Sequence, residues 1–511
     1  MLKRFTYFFF FIILLFPFKG IAQSQPKQVK INHANRLEYD ERLGKNVNRL
    51  IGNVQLEHEG MVMNCDSAYF YSESNQVDAF GNVHIIKSGG TDIYSQYLKY
   101  NGNTRMAEFQ KSVRLIDNGS TLSTDLLYYD MKNSVANYPN GGTIVSKDNT
   151  LTSDHGYYNP SSKTFSFKKN VVLVNPQYTI RCDTMIYNSA TKTCFFIGPT
   201  HIKNKTSLIY CEYGWYNSES NTSLFKKNAY ILTEKQRLKG DSVGYDQVKG
   251  IGKAFGHVEI NDTSQNIIVT GDLATFFEKE KKSLITGHTL LKQYDDEDTL
   301  FLNADTIYSM DIPLTKKRFK EDTATTQKLL LAYHHVQFFR EDLQGKCDSL
   351  AYTEADSLMR LFRSPVLWSD KSQITADNID LLITSGSIKK MFMRHNAFII
   401  SKKDSTKFDQ IKGKDMTGFF KNNELVKIHV VGNGQTIYFP KDKDKYVGVN
   451  KADCNNLVIY ITENEVKKIT FLKKPEATLF PMSDFNQKDF TLKDFIWREN
   501  ERPLSVQDIL R

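Results

Sequence analysis

The chain has 511 residues, of which 40% are apolar and 24% charged. That balance fits a folded protein, and the length excludes one compact core unless the chain grows by stacking. The formal net charge of +9 falls to +6 without residues 1–22, which hold Lys3, Arg4 and Lys19 and no acid. So mild an excess suits contact with an anionic surface or lipid and gives no argument for nucleic acid.

In chain order, residues 1–22 read as a signal peptide. Lys3 and Arg4 form the basic start, Phe5 to Phe18 is apolar apart from Thr6, and Gly20 and Ala22 supply the small residues of a cleavage site. The apolar run is shorter than the roughly 20 residues of a spanning helix. An exported chain beginning near Gln23 is expected, with retention of the segment as an anchor left open. No Cys follows the cleavage site, which argues against a lipoprotein. Residues 23–47 form a lead-in.

From there one motif repeats. It reads CDSAYF at 65–70, then SQYLKY (95–100), TDLLYY (124–129), SDHGYY (153–158), CDTMIY (182–187), CEYGWY (211–216), GDSVGY (240–245) and GDLATF (271–276). ADTIYS (304–309), CDSLAY (347–352), ADNIDL (376–381), KDMTGF (414–419) and ADCNNL (452–457) follow. The step is 29 residues from Gln96 to Asp241 and looser afterwards. A second motif alternates with the first: FGNV (80–83), FQKSV (109–113), FKKNV (167–171), FKKNA (225–229) and FGHV (255–258). Polar turns such as NGN, DNGS and NSES separate the two, so each repeat reads as two strands. The predicted fold is all-β, an elongated antiparallel jellyroll or solenoid-like stack of about thirteen two-strand repeats. The repeats occupy 48–309 and 331–472, around a loop insertion at 310–330.

With the acid as position 0, positions −3, +2 and +4 are mostly apolar and −1 is small. A flat strand alternates faces, so −3 and −1 share one face while +2 and +4 share the other. All can point inward only if the strand bends at the acid. Asp66, Asp125, Asp154, Asp183, Asp241, Asp305, Asp348 and Asp377 are therefore expected at strand corners, accepting N–H groups freed by the bend. Cys65, Cys182, Cys211 and Cys347 take the small −1 slot and need no chemistry. Cys182 and Cys211 are expected to be unbonded, since equivalent slots lie two strands apart, about 9.6 Å.

The sequence has no HExxH, GxSxG, phosphate-binding loop or CxxC. His334 and His335 point to opposite faces of a flat strand and make a poor metal pair. Gly250, Gly252 and Gly256 read as a turn. The acids Asp295, Asp296, Glu297 and Asp298 read as a solvated hairpin tip. No enzyme, metal or cofactor is expected.

The alternation of an A-D-x-x-x-Y strand with a G-N-V strand resembles the OstA-like family of lipopolysaccharide transport proteins, in a long Bacteroidetes-type form. The resemblance covers roughly residues 48 to 470 and is carried by Cys65-Asp66 with Phe70, by Gly81-Asn82-Val83, and by Ala304-Asp305 and Ala376-Asp377. It implies a periplasmic jellyroll, possible association with the outer membrane, and lipid A acyl chains of lipopolysaccharide held in the interior. It also implies edge-strand pairing with other jellyroll components of a transport bridge and with an outer-membrane barrel translocon. The chain departs from the family in being much longer than one bridge subunit and in lacking a barrel.

On that reading Leu98, Leu127, Tyr129, Tyr158, Met185, Tyr187, Tyr216, Val243, Tyr245 and Phe276 line the groove, and Gly156 and Gly214 leave gaps for a guest chain. The competing reading is a structural or surface-adhesive β-solenoid with a self-filled core. Residues 473–511, rich in aromatics and charges, are expected to cap the last open edge or to dock on a partner.

Overall fold

The computed structural model describes residues 27–39, 46–294, 298–313, 326–353, 355–384, 386–421, 423–443, 445–463 and 465–510. The signal segment, the expected start near Gln23, the centre of the 310–330 insertion and the acids Asp295, Asp296 and Glu297 lie outside the described residues.

Strands of 11 or 12 residues follow one another, as in Val47–His58, Met61–Tyr71, Gln76–Lys87 and Thr91–Asn101. Each pairs antiparallel with the next. The fold is antiparallel β, as the alternating motifs predict. It forms two units, residues 1–150 with 154–161, and residues 151–153 with 162–511. In the first, the lead-in supplies a layer of its own: Lys30–His33 and Arg36–Tyr39 pair with the two halves of Val47–His58.

The parity argument is visible in Met61–Tyr71. Met61, Met63 and Cys65 are buried, Asp66 is exposed, and burial resumes at Ala68 and Phe70. The bend, however, is built on the neighbouring strands. Gly52 and Asn53 on one side, and Gly81 and Asn82 on the other, all have positive φ, and each pair lies opposite Asp66. Two left-handed residues against one is a β-bulge, and it turns the strand. The G-N-V motif is thus the corner itself.

The same device recurs at Lys111-Ser112, Lys169-Asn170, Lys227-Asn228, Gly256-His257 and His395-Asn396. His334 and His335 form another such pair, so they do not sit on opposite faces of a flat strand. Gly256 belongs to a corner and not to a turn. In the last copies the residues facing the pair are Lys414 and Asn455, one before and two after the acids that the motif suggests.

Six of the expected corner acids bond to residues of the bulges. Asn82 donates to Asp66 at 3.0 Å, Asn396 to Asp377 at 3.1 Å, and the Ser112 N–H to Asp125 at 3.4 Å. Imidazoles bond to Asp241 (His257, 2.9 Å), Asp305 (His335, 2.9 Å) and Asp348 (His334, 3.3 Å). Side-chain amides and imidazoles supply more of these bonds than the expected backbone groups. A Cβ at Gly81 would stand 2.3 Å from Asp66 Oδ2, so a side chain there would displace the carboxylate, at a left-handed φ that glycine adopts most readily.

Candidate functional site

Because the strands bend, each has two arms. One runs from its corner to the turns near Glu59 and Gly60, the other to the turns near Asn75 and Arg105. The inner faces of both arms carry the apolar positions. In the first unit this interior is sealed: Leu56, Met63, Ile85 and Ile93 form one row across neighbouring strands and are at most 1% exposed. Leu98, Phe109 and Leu127 face them at 0%.

Contacts between the arm tips close the mouth. His58 Nδ1 lies 2.7 Å from the Tyr100 hydroxyl, and Arg105 Nη2 lies 2.8 Å from Glu59 Oε1. Lys87 reaches Ser134 Oγ at 2.5 Å and stands over the Tyr129 ring. The chain just after residue 26 bridges the same mouth. The Lys27 carbonyl lies 2.8 Å from His58 Nε2 and accepts from Asn75 Nδ2 at 3.2 Å, while the Val29 N–H donates to Asn75 Oδ1 at 2.9 Å.

In the second unit, strands between Thr164 and Phe277 repeat the geometry with a different result. The corner floor is buried, with Phe167, Met185, Phe196, Phe225 and Val243 at 6% or less. Towards the tips the inward row Leu173, Ile202, Ile209, Ile231, Leu238 and Ile260 is only partly buried, while Ile180 and Val269 in the same row are buried. So are Tyr187, Tyr216, Tyr245 and Phe276 on the facing arm. An apolar cleft with part-exposed walls results.

The ten groove candidates therefore separate. Tyr187, Tyr216, Tyr245 and Phe276 stand at the rim, and Met185 and Val243 in the floor. Leu98, Leu127 and Tyr129 belong to the sealed interior of the first unit, where Tyr158 is part-buried. Gly156 and Gly214 leave no gaps: a Cβ would meet the Tyr138 ring at 2.1 Å in one case and the Phe225 ring at 2.8 Å in the other. Neighbouring aromatic rings already fill that space. In this row Ile209 and Leu238 hold the inward −3 position, while Leu173, Ile202, Ile231 and Ile260 lie on the return strands and are identified by their cross-strand register with position −3.

All six cysteines are free, and Cys182 and Cys211 both pair with Thr200, one strand away from each. Burial pushes the thiols of Cys65, Cys182, Cys211 and Cys347 up to about 12, so they stay protonated at neutral pH. Among the described residues no cluster of three or more His, Cys, Asp or Glu could hold a metal ion.

Between Thr299 and Thr462 the interior is dense again, with Val336, Leu361, Ile379, Leu381 and Ile459 at 0%. Here the outer face of one arm is apolar as well, and the chain's own C-terminal segment covers it. Phe490 and Leu492 pack with Phe398, Ile400, Phe408, Ile437, Phe439 and Val449, and Phe495 and Trp497 lie against Phe408. Three buried glutamines hold this strap. Gln410 donates to the Phe490 carbonyl (2.9 Å) and accepts from the Leu492 N–H (2.8 Å); Gln373 does the same for Ile496 (2.7 Å) and Arg498 (2.7 Å). The third, Gln344, accepts from the Arg502 guanidinium at 2.6 Å. Lys412 and Lys402 pair with Asp494 and Glu499, and Lys346 with Glu501. The strap lies on a sheet face, and the strand Glu476–Phe480 of the same C-terminal segment pairs with residues 449–453 of the strand Val449–Thr462 and is itself largely exposed.

Residues 26–183 match the family model described as OstA-like protein. This stretch of the chain is OstA-like. No curated protein matches. Among solved structures the chain is similar to LptH of Pseudomonas aeruginosa, described as the LptA homologous periplasmic component of the conserved lipopolysaccharide transport device. The identity is 16%, over 22% of this chain and 83% of that chain, with a TM-score of 0.20. The OstA-like stretch ends within the Tyr178–Asn188 strand, while the corner device continues to Gly432-Asn433 and beyond.

Proposed function

We propose that this chain is a non-catalytic, periplasmic lipid-binding protein of lipopolysaccharide transport, and that its cargo is the acyl chains of lipid A. The observation that carries this reading is the apolar cleft between Thr164 and Phe277, whose inner walls stay part-exposed over successive strands. A soluble domain gains by burying such surface, and each acyl CH₂ transferred there is worth about 0.8 kcal/mol. Several chains would bind without any polar motif. The OstA-like match over 26–183 supports the same class.

The proposed partners are other jellyroll components of a bridge and an outer-membrane barrel translocon. They would pair with exposed strands of each unit: Arg36–Tyr39 in the first and Glu476–Phe480 in the second.

A photoreactive phenylalanine analogue at Tyr187 or Tyr216 should give lipid A adducts in the native envelope, and one at the turn residue Ser218 should give few. Equal adducts at all three positions, or none, would reject the cleft as a cargo site and favour a structural solenoid.

A further inference from the structure

The contacts across the mouth of the first unit have a shared character. Each joins a polar or charged side chain at one arm tip to a partner at the other: Glu59 with Arg105, His58 with Tyr100, Lys87 with Ser134. None is an apolar seal. The interior behind them is apolar and shut, and Leu98, Phe109 and Leu127 have no solvent contact. Inward positions of the same repeat are part-exposed between Thr164 and Phe277. The repeat itself therefore does not dictate closure.

We propose that these tip contacts form a latch, a gate that keeps the first-unit interior shut to lipid acyl chains until the arms part. The argument rests on which bonds must break. Parting the arms breaks no strand pairing, because the latch bonds run between tips while the ladders run along each arm. The bonds lost are side-chain bonds, of which His58–Tyr100 is buried and becomes hydrated on opening, while the Glu59–Arg105 pair already meets water. Glu59 and Arg105 are 26% and 32% exposed, so water can replace each partner. Lys27 and Val29 add a removable crosspiece, since His58 and Asn75 bond to the Lys27 carbonyl from opposite tips. The opened walls would present Leu56, Met63, Ile85 and Ile93, chemically the same surface as the cleft. A guest acyl chain would repay the water contact that opening creates.

This inference rests on the lipid-binding reading above, and its test separates the two. Azidophenylalanine is placed at Phe109, inside the latched interior, or at Tyr187, in the open cleft. The full chain is irradiated with lipid A in detergent micelles. The wild-type latch should give adducts at 187 and few at 109. Arg105→Glu, which sets two carboxylates against each other at the mouth, should raise adducts at 109 at least fivefold and leave those at 187 unchanged. The charge-swapped pair Glu59→Arg with Arg105→Glu should return position 109 to the wild-type level. Because these substitutions are at a surface ion pair, the fold should persist; an unchanged melting temperature, and the adducts at 187, report it. If position 109 labels fully in the wild type, or is unchanged by Arg105→Glu while 187 labels, the latch is wrong. If 187 never labels, the lipid-binding reading fails, and the latch proposal with it.

Discussion

Leu56, Met63, Ile85 and Ile93 in the first unit and Ile180, Ile202, Ile209 and Ile231 in the second occupy the same place in the repeat, between corner and tip on the inner face. The first four have essentially no solvent contact, whereas Ile202, Ile209 and Ile231 keep some. The inward residues are equally apolar in both, so the interior pattern does not decide access. The tips differ. The first unit ends its arms in His58-Glu59, Lys87 and Arg105, which meet across the mouth. The second carries short polar turns such as Asn175-Pro176-Gln177 and Asn204-Lys205-Thr206, whose Asn side chains accept from their own turn backbones. Side chains spent within a turn cannot reach across.

The comparison breaks most visibly through core substitutions. Phe109→Ala in the sealed interior should cost about 3–5 kcal/mol, because it leaves a cavity that the closed arms cannot collapse. Tyr216→Ala at the rim of the cleft should cost about 1 kcal/mol, since its ring is already partly in water. Denaturant unfolding of the two variants measures the difference; equal losses would mean that the cleft is as closed as the first unit.

Corners, by contrast, should behave alike in both regions. Gly81→Ala and Gly256→Ala each place a methyl group about 2.3 Å or less from a corner carboxylate, at φ of 70° and 68°. Each should lose roughly 1–3 kcal/mol by the same measurement. A large loss at one and none at the other would show that the corner is not a shared device.

The strap offers a third, smaller contrast. Gln373→Leu removes a donor and an acceptor from buried backbone groups at Ile496 and Arg498 and should cost about 1–3 kcal/mol. Hydrogen exchange should speed up at 490–498 and stay unchanged in the first unit. Exchange that stays slow throughout would show that the apolar contacts alone hold the strap.

The smallest effect concerns Asp409, beneath the strap. Burial pushes its carboxyl up, against the lowering effect of Lys403. An acid with a raised folded pKa binds its proton more tightly when folded, so its cost is present at neutral pH and fades as pH falls through that pKa. Asp409→Asn keeps an acceptor for the Phe439 N–H. The variant should be the more stable of the two at neutral pH and lose that gain as pH falls through the raised folded pKa; a pH-independent difference would contradict the sign.

Much of this architecture was legible in the chain. The repeat, the strand alternation and the inward set all follow from the 29-residue step and from the parity switch at the acid. The corner's builder was misassigned because Asp66 stands out by its charge, while the bulge is made by Gly81-Asn82, whose left-handed conformation is a backbone property. Lys111-Ser112 and Lys169-Asn170 do the same work without glycine, so composition alone conceals them. The separation of sealed from open interior was not legible. It depends on Glu59 meeting Arg105 and His58 meeting Tyr100, partners 46 and 42 residues apart whose encounter only the fold decides. The strap was hidden for a similar reason: Gln344, Gln373 and Gln410 read as ordinary outward polar residues until the segment that covers them is placed.

The measurement that bears most directly on this account is hydrogen–deuterium exchange of the full chain with and without lipid A. Lipid should slow exchange in peptides covering the arms at 178–188, 207–217 and 236–246, and leave 47–58 and 91–101 unchanged while the latch is closed. Equal slowing in both sets, or no slowing anywhere, would contradict the assignment of the open cleft as the cargo site.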